Sequence, residues 1–277
     1  MESPRVLFIF TEIYPYLPES IISKIGHELP PATLERGFEI RTFMPRFGGV
    51  NERRNQLHEV IRLSGMNLII NETDHPLLIK VASVTSARVQ VYFIDNDDYF
   101  LKRNLYKNGE NLWYPDNDER SVFFARGVLE TVRKLRWSPD VIHCHGWFTF
   151  LVALYLRRTF KDDPLYANSK IVLSLYDEPS PEIFDESFRK TSLCDGVRPK
   201  DLEQMNEPTF ENYVKMCIGY ADALIAGSPN INPAYLQYAE ETGKATLPCP
   251  LPEEYLDKYN ELYESLLSRK KRKLWKQ

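Results

Sequence analysis

Arg5-Val6-Leu7-Phe8-Ile9-Phe10, followed by Thr11-Glu12-Ile13-Tyr14-Pro15-Tyr16-Leu17-Pro18 and then by Glu19 to Gly37, is the stretch whose reading decides the fold. Five consecutive apolar residues from Val6 to Phe10, β-branched and aromatic, fit a strand buried on both faces, as in a parallel sheet. The Pro-containing segment after it is a turn. A helix is expected from about Glu19 to Arg36, stopped by Gly37, and Phe38 to Met44 reads as the next strand. This is a βαβ unit. In open α/β sheets the loop leaving the carboxyl end of such a first strand faces the ligand crevice.

Working outward, Pro45 to Asn51 is a loop in which Gly48-Gly49 allows a sharp turn or a close ligand approach. Leu57 to Ile94 alternates and predicts several strands, partly antiparallel, ended by Asp95-Asn96-Asp97-Asp98. Tyr99 to Trp113 is aromatic, basic and irregular. A helix is expected over Asn117–Arg136, capped by Asp116 or Asn117. There follow a strand at Asp140–Cys144, a very apolar helix at Trp147–Phe160 and a strand at Lys170–Tyr176. Asp177–Asp201 reads as an acidic loop region, before a helix at Phe210–Tyr220, a strand at Ala221–Ala226 and a helix at Pro229–Glu241. Thr246–Pro252 is a Pro-rich connector. Beyond it Tyr255, Leu256, Tyr259, Leu262, Tyr263, Leu266 and Leu267 share one helical face, ahead of a basic tail from Arg269 to Lys276. This order predicts an α/β, doubly wound, mostly parallel Rossmann-like sheet with helices on both faces and a small β insertion. The expected division is a domain over residues 1–250, with an amphipathic helix and basic tail over residues 251–277 packed on it.

The totals narrow the function classes. With 277 residues, 43% of them hydrophobic, the chain can bury a substantial core, and chains of this size bury roughly 75% of their unfolded surface. No apolar run approaches the ~18 residues of a membrane span. Met1 runs straight into a strand without a signal-peptide pattern, and four scattered Cys form no CxxC pair, so a cytoplasmic, reduced setting is expected and neither a zinc knuckle nor a redox motif. A net charge of -4 makes no case for nucleic acid.

By the strand at residue 140 the residues become specific. Thr11-Glu12-Ile13-Tyr14-Pro15-Tyr16, Leu29-Pro30, Glu35-Arg36-Gly37-Phe38 and Met44-Pro45-Arg46-Phe47-Gly48 resemble the opening of bacterial glycogen/starch synthases. So, in the same order, do Val91–Asn96, Leu105-Tyr106, Tyr114–Arg120, Pro139–His145, Tyr220–Ala223 and Gly227-Ser228-Pro229. Those enzymes are glycosyltransferases of family 5 with the two-domain GT-B fold. The resemblance implies the N-terminal half of that fold, ADP-glucose as the family donor and an α-glucan or maltooligosaccharide as acceptor.

Three family loops depart from pattern. Where the family carries Lys-Thr-Gly-Gly-Leu-Gly-Asp, which approaches the nucleotide phosphates at a helix N-terminus, this chain reads Pro18-Glu19-Ser20-Ile21-Ile22-Ser23-Lys24. A carboxylate and a branched side chain there would repel and obstruct a diphosphate. The family's His-Asp-Trp-His is His145-Gly146-Trp147-Phe148, and its His-Asn pair at the end of the next strand is Tyr176-Asp177. No catalytic residue is therefore expected, the family positions being held by Pro18, Gly146 and Tyr176, and binding of ADP-glucose is not expected, nor any other cofactor. The chain ends after about half of a family enzyme, so the second Rossmann domain that grips the donor is expected to be absent or supplied by a separate nucleotide-sugar-binding chain. The resemblance thus implies a non-catalytic or glucan-binding domain, with one half of a split glucosyltransferase and a sugar-free assembly partner as alternatives.

Candidate cleft residues are Glu12, Ser20, Ile21, Trp113, Tyr114, His145, Trp147 and Asp177. Trp113-Tyr114 lies in an irregular loop and suits a glucan contact, whereas Trp147 could stack on sugar but reads better as core. Glu12 could bond a ligand hydroxyl, although a structural role fits it better. Asp177, Glu178, Glu182, Asp185 and Glu186 read as a solvated loop. His143 and His145 share one strand face but have no third ligand nearby, so a loop-orienting pair is expected rather than a metal site.

Overall fold

A computed structural model describes residues 3–84, 89–267 and Trp275. The apolar run at the N-terminus is the central strand β1 (Arg5–Phe10), and Val6 to Phe10 are completely buried. The chain continues through α1 (Ile21–Glu35), β2 (Glu39–Pro45), β3 (His58–Glu59), β4 (Met66–Ile70), β5 (Thr73–Val84), β6 (Val89–Asp95) and α2 (Asp97–Phe100). Next come α3 (Asn117–Leu135), β7 (Val141–His145), α4 (Leu151–Arg157), β8 (Lys170–Leu175) and α5 (Phe188–Thr191). The last elements are α6 (Phe210–Tyr220), β9 (Ala223–Ala226), α7 (Pro233–Glu241), β10 (Ala245–Leu247) and α8 (Tyr255–Leu266).

The strands form one sheet in the order β10-β9-β8-β7-β1-β2-β6-β5-β3, with β4 paired to β5. From β10 to β6 all neighbours are parallel, and β3, β4 and β5 add an antiparallel edge. This is the doubly wound sheet with a small β insertion that the element order implies. Right-handed crossovers put α1, which turns back from β1 to β2, on one face and α3, α4, α6 and α7 on the other. Contacts agree: α3 packs on α4, α4 on α6, and α6 on α7, whereas α1 packs on α8. Among the described residues no helix is long and apolar enough to cross a membrane.

Several boundaries differ from the sequence reading for local reasons. The apolar helix expected over 147–160 is a 3-10 turn at Trp147–Thr149 followed by α4. The 177–201 loop carries α5 and runs into a 3-10 segment at Pro199–Asn206, and the Pro-rich connector begins in the edge strand β10. The Asp116 side chain does not cap α3, because its carboxylate is engaged by Arg103. Gly48 does make a close approach, but to the backbone of this chain: its N–H donates to Arg103 O at 2.8 Å. The basic tail lies outside the described residues except for Trp275, whose ring packs on Phe38 at 4.6 Å.

Helix α8 covers the face of β7 and β8 that α1 does not reach. Its buried residues are Tyr259, Asn260 and Tyr263. The Tyr263 hydroxyl meets His143 Nδ1 at 2.6 Å, while Ser174 Oγ meets His143 Nε2 at 2.7 Å. Arg36 of the α1 C-cap pairs with Asp257, and Tyr255 bonds Glu28, so charged groups fasten the two helices at their rims. Burial drives the His143 pKa well below its ordinary value, so the imidazole is neutral, with one nitrogen donating and the other accepting. Replacing Tyr263 by Phe strands one of those nitrogens in a dry site, which costs about 1–3 kcal/mol. A lower urea midpoint at unchanged slope is expected for Tyr263→Phe, and an unchanged midpoint contradicts this role.

Candidate ligand cleft at the switch point of the sheet

Connections leave β1 and β7 in opposite directions, so the loops beyond their carboxyl ends part and leave a crevice between them. Three segments meet there: Thr11–Ser20 after β1, Gly146-Trp147 after β7 and Tyr176–Glu178 after β8. Gly146 turns the chain with φ +86°, a left-handed conformation that suits glycine. A Cβ on it would lie 3.0 Å from both Glu178 Oε1 and Thr11 Oγ1. The turn aims the Trp147 N–H at Glu178 Oε1, which accepts it at 2.8 Å, and Glu178 Oε2 accepts the Tyr106 hydroxyl at 2.7 Å. Burial pushes the Glu178 carboxyl up to about 8; the two hydrogen bonds oppose that shift and nearby Glu12 adds to it. Glu12 is raised too, by burial first, with Ser20 holding it down.

Beside this clasp the β8 end is filled by Tyr176, only 4% exposed, whose hydroxyl meets His145 Nδ1 at 2.8 Å. The ring lies so close to Gly227 that an added Cβ would come within 2.2 Å of it. His145 stacks on Phe10 at 3.9 Å and stands 3.7 Å from His143, ring centre to ring centre. Burial, and then the neighbouring imidazole, push its pKa well down. Both histidines are thus neutral core groups whose partners are hydroxyls.

The cleft residues named from sequence are only partly brought together. Glu12, Ser20, His145 and Trp147 converge on the crevice. Ser20 caps α1 through a reciprocal pair with Ser23, accepting Ser23 N–H at 3.0 Å. Ile21 stands in the first turn of α1, 50% exposed. His145 and Trp147 have no exposed surface: Trp147 is the core residue that the sequence reading favoured, and His145, also a cleft candidate, is a core position here. The Trp147 indole N–H donates to Pro179 O at 2.9 Å. Asp177 faces solvent and accepts from Asn230 Nδ2 at 3.3 Å. Two residues of the crevice escape the sequence reading, Tyr106 and Glu178. Glu178, expected in a solvated loop with its acidic neighbours, instead turns inward; its place three residues past the last residue of β8 was the available signal.

Trp113 and Tyr114 line a separate groove of about 690 Å3, walled opposite by Pro179, Pro181 and Phe184. Trp113 stacks near Tyr106 at 6.1 Å with the Lys107 ammonium 4.8 Å from its ring, and Asn117, Asp118, Glu182 and Asp185 supply acceptors. Buried Arg120 fixes the segment that carries this wall. Its guanidinium donates to the carbonyls of Tyr99, Asn104 and Leu105 and to Asn117 Oδ1. The rings of Tyr114 and Phe47 flank it at 5.0 and 5.3 Å.

The Glu178 shift has a sign that can be checked. Its carboxyl titrates near 8 in the folded chain and near the model-compound value of 4.5 when unfolded. Stability from the bound proton is therefore present below about 4.5 and lost as pH rises through 8. The depressed histidines act oppositely below their ordinary 6.5, where the unfolded chain gains protons that the fold refuses. Glu178→Gln removes only the first effect. The thermal midpoint of the variant minus that of the native chain is expected to grow between pH 5.5 and 8.5. A difference independent of pH contradicts a buried, proton-holding carboxyl.

The family model for the starch synthase catalytic domain matches residues 5–242. A glycogen synthase of Chlorobium phaeovibrioides is 32% identical over 246 residues, covering 87% of this chain and 48% of its own. A glycogen synthase of Chlorobium luteolum is 35% identical over 176 residues, 62% of this chain and 36% of its own. The chain thus spans less than half the length of these curated relatives. Among solved structures, the catalytic domain of starch synthase IV from Arabidopsis thaliana bound to ADP and acarbose superposes with a TM-score of 0.73 at 17% identity, over 90% of this chain and 51% of that one. The shared fold, and a family match that runs through both sides of the crevice, establish that this chain belongs to the starch synthase catalytic domain family of glycogen-synthase-like glycosyltransferases.

Proposed function

We propose that this chain is a glycogen-synthase-like domain that binds α-glucan without itself transferring glucose. The observation that carries the reading is the Glu178 clasp: the Trp147 N–H, which opens the turn after β7, is spent on a carboxyl oxygen of the same chain. An oxyanion placed there would meet a second acceptor where transfer chemistry calls for donors or positive charge. The neighbouring loop supports the same reading, because Pro18 stands where the resemblance puts a lysine and Glu19 follows it. The Ser20 side chain is committed to capping α1.

Glucan recognition is assigned to the groove beside Trp113. Its composition suits a neutral polyhydroxylated chain: an indole and prolines for the C–H faces of sugar rings, and an amide and carboxylates to accept hydroxyls. The wall is preorganised, since Arg120 ties the segment behind it to four acceptors and little ordering remains to be done on binding.

Two assays test this reading. The purified chain with ADP-glucose and glycogen is expected to release no ADP above a protein-free control; release that scales with protein overturns the inactivity. In native gels containing glycogen the chain is expected to be retarded, and Trp113→Ala to lose most of that retardation. Migration unchanged by glycogen removes the glucan reading.

A further inference from the structure

The groove beside Trp113 has two walls from distant parts of the chain. One is the segment from Trp113 to Asp118; the other runs from Pro179 to Asp185. A sugar chain held by both needs their spacing fixed, because a hydrogen bond formed at about 2.9 Å is gone by about 3.6 Å. Residues that set the spacing therefore act in recognition even where they touch no ligand.

Tyr106 is built into the first wall. Its carbonyl accepts the Tyr114 N–H at 3.0 Å and the Asn117 side-chain amide at 2.8 Å. The backbones of Lys107 and Trp113 pair as an antiparallel bridge, which brings Trp113 back beside Tyr106. The Tyr106 ring packs against two indoles, Trp113 at 6.1 Å and Trp147 at 5.0 Å. Its hydroxyl leaves this wall and donates to Glu178 Oε2 at 2.7 Å.

Glu178 belongs to the second wall, since Pro179 is the next residue. Trp147 seats that wall from behind. Its indole N–H donates to Pro179 O at 2.9 Å, its backbone N–H donates to Glu178 Oε1 at 2.8 Å, and its ring meets Phe184 edge-on at 5.6 Å. A second tie joins the walls where Ser187 Oγ donates to Asp118 Oδ2 at 3.1 Å, but Asp118 itself lines the groove. Tyr106 and Glu178 do not line it, and Tyr106 is only 3% exposed. Their bond spans the walls from behind, out of reach of a sugar.

We propose that Tyr106 and Glu178 are positioning residues for the glucan, their one hydroxyl–carboxyl bond fixing the spacing at which the two walls take a sugar chain, an assignment that rests on the glucan reading of this groove. Isothermal titration of the full chain with maltoheptaose tests it. Trp113→Ala is expected to abolish saturable binding. Tyr106→Phe keeps the ring and loses the bond, and is expected to weaken binding about fivefold, within the range of one hydrogen bond. Glu178→Ala is expected to weaken it at least as much. Glu178→Gln is expected to recover most of that loss, since its amide accepts the Trp147 N–H and pairs with the Tyr106 hydroxyl. Both truncations remove the same bond, so Tyr106→Phe combined with Glu178→Ala is expected to bind no more weakly than Glu178→Ala alone. Without sugar, the Trp113 indole N–H resonance is expected to shift in Tyr106→Phe and to stay in place in Lys215→Ala, on α6. Tyr106→Phe binding as tightly as the native chain, additive losses in the double variant, a Gln variant no better than Ala, or a Trp113 resonance unmoved by Tyr106→Phe each overturns the assignment while Trp113-dependent binding stands. Maltoheptaose binding that is absent from the native chain, or undiminished by Trp113→Ala, overturns it together with the glucan reading of the groove.

Discussion

One carboxyl group, that of Glu178, ties the loops after β7 and β8 at the switch point to the segment before α3. It accepts the backbone N–H that opens the turn after β7 and the hydroxyl of Tyr106 from the irregular segment before α3. Without it, the Trp147 amide would face an open crevice and the wall bearing Trp113 would lose its tie to the β8 loop. Gly146 makes the clasp geometrically possible by turning left-handed beside it, and burial pushes the carboxyl up to about 8. A crevice that in open α/β sheets ordinarily receives a ligand is here closed by the side chains of the protein.

Beneath the clasp lies a layer of neutral hydrogen bonds. His143 and His145 lie on one face of β7, and that face would be bare if α1 alone covered the sheet. Helix α8 supplies the cover, with Tyr263 reaching His143 while Tyr176 reaches His145. Imidazoles 3.7 Å apart could not both be charged in such a site. Burial settles them as neutral; hydroxyls meet both nitrogens of His143 and the Nδ1 of His145.

Much of the scaffold was legible in the sequence because its signals are local. The Val6–Phe10 run and the spacing of Tyr255, Tyr259 and Tyr263 each reflect a single element, and the alternation of strands and helices implies the doubly wound sheet. The site was less legible because its contacts are not local. Glu178 sits among four acidic neighbours that face solvent, and composition alone could not separate it from them. Its partners lie 31 and 72 residues away. His145 and Trp147 stand in family-like motifs at a strand end, yet the packing of α8, Tyr176 and the Pro179 carbonyl removes them from solvent. Arg120 reads as one more charge on a surface helix until the backbone carbonyls of residues 99–105 curl around its guanidinium.

The central claim is that this crevice no longer accepts a nucleotide sugar, and equilibrium binding tests it more directly than turnover does. Isothermal titration of the chain with ADP-glucose at pH 7 is expected to give no saturable heat, and the backbone amide of Trp147 in an NMR titration is expected not to move. Saturable one-to-one binding of ADP-glucose that displaces the Trp147 amide resonance and is competed by ADP would contradict the account.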